Sequence, residues 1–443
     1  MSWAILRRYW LTLSTGQQAN LSKPGISTIE FATQLIGTVL DMPPVTCAFG
    51  PMNKSGSIIL LCFAVILGMS PWFATAAALP DMAREAVIPA FRQALLSSAV
   101  QAGFVVGAVA SAFLGIADRF DPRRVMAATA MMNAVASAAL LWAPLGGDTA
   151  IALRFLAGAG FAGVYPVGMK IVVGWGVKDR ALLVGILIGA LTFGSGAPHL
   201  AAFLGGADWR VVIVAVAAAS AIASILTLFV RLGPHHAQAP AFSPSVIRLM
   251  WTDRRIRAAT GGYLGHMWEL YVMWGWIAAA TATGYALTMG AEAAVSLSAL
   301  TAFCAIAAGA VTCAPAGWAA DRWGKARVAT TALILSGTSA LLMAVTLGLP
   351  GGGPVWLIFA LALVWGAFVI PDSGLFSAMI ADAAPAEAAG SLMTMQTALG
   401  FALTAVTVQV APLLAENIGW NWTLALLALG PAGGIWALKS AKQ

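Results

Sequence analysis

Glu269 lies midway along an apolar stretch, residues 259–282, with His266 three positions before it and Trp276 seven after. On a helix all three share one face. A carboxyl and an imidazole kept away from water are groups that take up and release protons, so the set reads as a proton path beside a substrate wall. A static hydrogen bond between Glu269 and His266, holding the helix in register, is the plainer alternative. Arg154 is the second candidate, on a helical stripe with Gly158, Phe161 and Tyr165. Its guanidinium could hold an anionic solute, pair with a proton-carrying acid, or simply tie neighbouring carbonyls together. Asp372, after Pro371, reads as an interfacial cap or a gate, and His199 as an interfacial group. Pro71-Trp72 could break a helix and free backbone groups for a site.

These groups stand out because so little else is charged. Of 443 residues, 60% are hydrophobic and 9% charged, and the mean hydropathy is +0.86. A soluble domain is about 25% charged, so this composition excludes a soluble enzyme, a nucleic-acid binder and a disordered chain. What remains is an all-α polytopic membrane protein. The net charge of +7 is spread over short loops and reports orientation rather than a nucleic-acid partner. Cys47, Cys62, Cys304 and Cys313 lack metal-ligand spacing. There is no phosphate loop, zinc motif or nucleophile elbow, so neither enzymatic catalysis, nor ATP, nor a cofactor is expected.

Twelve stretches are long and apolar enough to span a bilayer: roughly 57–79, 93–115, 124–144, 149–169, 181–204, 209–231, 259–282, 293–316, 327–349, 354–376, 389–414 and 419–438. With both termini cytoplasmic, sixteen Lys and Arg fall on inner loops and the C-terminal tail, against Arg84, Arg92 and Arg210 outside. The polar connection 232–258 divides the chain into bundles 57–231 and 259–438, followed by a tail, 439–443. Residues 1–56 fit this plan poorly. They read as a tail or an over-called start, with Met52 the alternative, and the first apolar run reads as an uncleaved helix rather than a signal peptide.

The two halves repeat. Asp118-Arg119 follows the second span and Asp321-Arg322 the eighth, each trailed by basic residues, Arg123 and Arg124 in one copy, Lys325 and Arg327 in the other. Asp118 could face the positive end of the eleventh helix, near Pro385, while the basic groups hold nearby carboxylates, latching the inner side shut. Simple positive-inside topology is the alternative. Gly103/Gly107 and Gly185/Gly189 place small residues four apart, which marks close helix packing.

This pattern resembles the major facilitator superfamily (MFS). The carrying residues are the duplicated loop, in its fuller form Gly317, Asp321, Arg322, Gly324, Lys325 and Arg327, and Arg154-x-x-x-Gly158-x-Gly160 in span four. The first loop copy has Leu114 and Asp121 where glycines are usual, and residues 189–198 match the glycine-proline motif of antiporters only in part. Residues 163–170 and 265–271 look like bacterial members near the nitrate/nitrite porters, although spans two and eight here lack the arginines of those porters.

The resemblance implies a secondary transporter in a bacterial-type inner membrane. It would move a small solute by alternating access, as a monomer, with protons as the coupling ion. A proton-driven drug or metabolite exporter is an alternative within transport, and a transport-dead sensor or scaffold is one outside it.

Overall fold

The computed structural model describes residues 53–176, 180–205, 208–235 and 246–440. The expected tail and Met52 thus lie outside the described residues, apart from 53–56. Every regular element within them is helical. Helix α1 (Lys54–Met69) starts where Asn53 Oδ1 accepts the Gly56 amide at 2.9 Å. It stops at Ser70-Pro71, because proline offers no amide to the helical ladder. α2 (Ala74–Glu85) resumes the same span.

α3 (Ala90–Leu114), the single turn α4 (Ile116–Arg119), α5 (Pro122–Ala139), α6 (Asp148–Val173), α7 (Arg180–Gly205) and α8 (Trp209–Thr227) follow. The second group comprises α9 (Val246–Thr252), α10 (Arg254–Tyr285), α11 (Ala291–Trp323), α12 (Lys325–Leu347), α13 (Val355–Val369), α14 (Ser373–Ala383), α15 (Ala386–Leu427) and α16 (Leu429–Ser440). Like α1 and α2, α13 and α14 are two parts of one span, interrupted at Pro371.

Among the described residues, ten helical segments are long and apolar enough to cross a membrane. The difference from the twelve expected has two physical sources. Ala388–Ser440 is a single segment of 53 residues, inside which Gly419 adopts φ 82° and turns the chain. The 32-residue α10 is not among the ten, since His266, Glu269 and its many glycines and tryptophans dilute its apolarity.

Helices before residue 232 pack chiefly on one another, and so do those after 253. The two groups meet along α3 with α15 and α7 with α11. Glycine sets the tightest crossings. A Cβ on Gly103 would sit 2.0 Å from the Phe155 carbonyl oxygen, and one on Gly158 would sit 2.1 Å from that of Val100, so α3 and α6 touch backbone to backbone. A Cβ on Gly189 would come within 2.9 Å of the Ala310 carbonyl oxygen across the seam between the groups.

Candidate functional site

Arg154 is fully buried on α6 and reaches the break in the first span. Its guanidinium donates to the Pro71 and Trp72 carbonyls at 2.9 and 2.6 Å, and its Nε–H to the Leu96 carbonyl at 3.3 Å. The broken turn frees carbonyls that lipid could not satisfy, and the planar fork of an arginine suits them. The side chain is therefore committed to fixing the α1–α2 kink against α3 and α6. Tyr165, three turns along the same stripe, is half-buried and does not join it.

Glu269 is the centre of a second buried polar group, spread over three spans. Its Oε1 accepts the indole N–H of Trp365 on α13 at 2.7 Å, and its Oε2 accepts the Ser336 hydroxyl of α12 at 2.9 Å. One turn away, His266 Nδ1 lies 2.9 Å from Asp372 Oδ1, each side chain 1% exposed. That distance suits an ion pair, but the angles do not make a hydrogen bond, and Asp372 Oδ1 and His266 Nε2 both lack a hydrogen-bond partner. Rings of Tyr263 and Phe376 flank the imidazole at 5.9 and 6.1 Å. Glu269 and His266 thus share a face, as expected, but each turns to a different helix rather than to the other.

Asp372 is not an interfacial cap. The tenth span continues to Ala383, past the end at 376 that hydropathy suggests, which puts Asp372 inside it. His199 is fully buried within the protein. Ser336 and Trp365 escaped the sequence reading. The available signal was Trp365 itself, since an indole deep in an apolar helix needs an acceptor.

Trp276 does not accompany Glu269. Its indole donates to the Val408 carbonyl at 3.0 Å and its ring lies 6.2 Å from that of Trp420. Both line a cavity of about 610 Å³ bounded by α2, α3, α10 and α15, with Gln93, Thr283, Glu416 and Asn421 as its polar groups. Between this cavity and the Glu269 group, an aromatic layer joins the two halves. Phe104 and Phe401 stand 4.2 Å apart, Trp72 and Tyr271 5.8 Å, and Phe73 and Trp274 6.0 Å.

The duplicated loops are only partly tied down. Arg123 holds both carboxylate oxygens of Asp121, at 2.6 to 3.2 Å, and Asp121 also accepts the Arg123 amide at 2.9 Å as the N-cap of α5. Burial would raise the Asp121 carboxyl, but the Arg123 hydrogen bonds and the charges of Arg123 and Arg124 outweigh it and hold the group below its ordinary value. Its stabilising effect is therefore full above the ordinary carboxylate range and fades as pH falls through the depressed value. Asp121→Ala is expected to cost about 0.5–2 kcal/mol at neutral pH. In thermal unfolding the gap from wild type should narrow in acid.

In the second copy, Lys325 pairs with Asp382 at the end of α14, and Arg322 stacks on Trp318 at 4.2 Å. Gly324, at φ 91°, makes the sharp turn between α11 and α12. Asp321, Arg119 and Arg327 are exposed, Arg124 is half-buried, and Gly317 has open space around it. The side chain of Asp118 lies outside the described residues.

Broken spans, paired loops and a buried polar group within each of two helical groups are the anatomy of a membrane carrier. The sequence model of the Major Facilitator Superfamily matches residues 61–312. The chain belongs to that superfamily of secondary transporters. Among solved structures, a mutant of the nucleoside transporter NupG is similar with a TM-score of 0.65 and 15% identity, over 88% of this chain and 100% of that one. The fucose:proton symporter FucP of E. coli, also a mutant, gives 0.61 and 16%, over 87% and 98%. At such identities the likeness is one of fold. A comparison with curated proteins gives no match.

Proposed function

We propose that this chain is a proton-coupled carrier of a small solute, working by alternating access, and that Glu269 is its proton-binding group. The reading takes α10 as a crossing and divides Ala388–Ser440 at Gly419 into two. Twelve spans result, in six-helix bundles 57–231 and 259–438, with both termini on the cytoplasmic side of a bacterial-type inner membrane. The observation that carries the proton role is a carboxyl 1% exposed, held by donors from two other spans. An acid at such depth is costly, about 2.5–3.5 kcal/mol on insertion scales, and is kept where protons or ions must pass. His266 and Asp372 extend the polar group by one helical turn. Loss of a proton from Glu269 would leave a charge whose two donors come from α12 and α13, so protonation and the packing of three spans are linked.

The printed names of the two similar structures include a nucleoside transporter and a proton symporter, which accords with a small solute and with protons. The test is proton movement in liposomes carrying the purified protein, with anions, organic cations and neutral solutes added in turn. The wild type should move protons with at least one of them, and Glu269→Gln should fall to the level of empty liposomes. Solute-driven proton movement unchanged in Glu269→Gln would remove the proton role.

A further inference from the structure

The seam between the two helical groups contains polar atoms that are buried and have no hydrogen-bond partner. They are Trp72 Nε1 on the broken first span, Gln101 Oε1 on α3, both ring nitrogens of His199 on α7, and Trp274 Nε1 on α10. All four side chains are 3% exposed or less. Their positions converge on the seam. Trp72 and Trp274 belong to the aromatic layer, each with a ring of the opposite half within about 6 Å. Gln101 lies on the α3 face between Ser98, which bonds Gln409 of the other half at 2.6 Å, and Phe104, which meets Phe401 at 4.2 Å. His199 is one turn beyond Gly196, where a Cβ would sit 3.1 Å from Ile306 of the other half, and its ring lies against the Trp274 backbone without hydrogen-bond geometry.

An unmet buried donor or acceptor costs about 1–3 kcal/mol. Phenylalanine would keep an aromatic ring at either place without that cost, so the two indole N–H groups fit a partner that comes and goes. Of the buried charged groups, Arg154 is committed to three carbonyls and Glu269 to Ser336 and Trp365, while Asp372 lies 2.9 Å from the His266 ring within the second helical group. What the seam offers is therefore flat aromatic faces plus neutral donors and acceptors.

We infer that the solute carried is an uncharged, planar heteroaromatic molecule with both donor and acceptor edges, taken up at the aromatic layer where the two halves part, with the indoles of Trp72 and Trp274, Gln101 and His199 as its polar partners. This rests on the carrier reading above and names the substrate class for it. Aromatic faces accept the ring by stacking, and the unmatched N–H, carbonyl and imidazole groups read its edge.

Three probes with one ring and different charge test the inference: nicotinamide (neutral), nicotinate (anionic) and 1-methylnicotinamide (cationic). Binding is measured by equilibrium dialysis and by thermal stabilisation of the protein in lipid nanodiscs, with uracil and benzamide as further neutral planar probes. The neutral probes should bind at least tenfold more tightly than either charged one. Trp72→Phe and Trp274→Phe keep the ring and lose the N–H, and each should weaken nicotinamide binding about fivefold, the equivalent of one neutral hydrogen bond. Equal or tighter binding of a charged probe, binding unchanged in both tryptophan variants, or no binding of any neutral planar probe overturns the inference. Neutral-probe binding without coupled proton movement would sustain it while removing the proton role.

Discussion

Replacing Arg154 with leucine should lower the unfolding free energy by about 2–4 kcal/mol, since each carbonyl left without its donor costs about 1–3 and the removal of a buried charge returns part of the loss. The affected oxygens are those of Pro71, Trp72 and Leu96. Leu96 keeps a bond from Thr75 Oγ1 at 3.0 Å, so the loss concentrates at the break in the first span. Arg154→Lys should recover little of it, because an ammonium cannot present the fork that meets two carbonyls from one side and a third along its edge. The measurement is unfolding of both variants in detergent by heat or denaturant. A side chain kept only to bind an anionic solute would behave differently, leaving stability intact while transport is lost.

The second large effect belongs to the crossing of α3 and α6. Gly158→Val should prevent the two helices from meeting, because even the first carbon of the new side chain would sit 2.1 Å from a backbone oxygen that cannot rotate away. Overpacking a core costs about 1–3 kcal/mol where side chains can yield. Here the neighbour is backbone, so the yield of folded protein on size-exclusion chromatography should collapse. Gly317→Ala supplies the contrast. Its surroundings are open within 4 Å, and alanine is the better helix former by about 1 kcal/mol. That variant should fold at least as well as wild type, although Gly317 belongs to the loop motif that carries the family resemblance.

Much of the fold was legible because lipid imposes a simple rule: a crossing segment must be apolar, helical and about 20 residues long. Short polar connections with proline, glycine and arginine then marked the ends. The same rule misplaced Asp372. Hydropathy falls after Pro371, yet the chain continues as α14 to Ala383, so a residue that looks terminal is internal. Helical spacing correctly put Glu269 and His266 on one face. It could not show that Trp276, two turns further along, opens onto a different space beside Trp420. The partners of Glu269 lie 67 and 96 residues away on other spans, and no local period encodes such a meeting. The Arg154 clamp was half-visible: a proline that frees carbonyls and a lone buried cation were both apparent, but their contact required the packed structure.

The account turns on whether Glu269 gains and loses a proton in the folded protein, which infrared difference spectroscopy reads without knowledge of the solute. Membranes carrying the protein are taken through a pH series, and the carboxylic C=O stretch is compared between wild type and Glu269→Gln. The account predicts a protonated-carboxyl band in the wild type that rises and falls with pH and is missing from the variant. A band set identical in the two proteins at every pH would contradict it, leaving Glu269 as a packing group of α10.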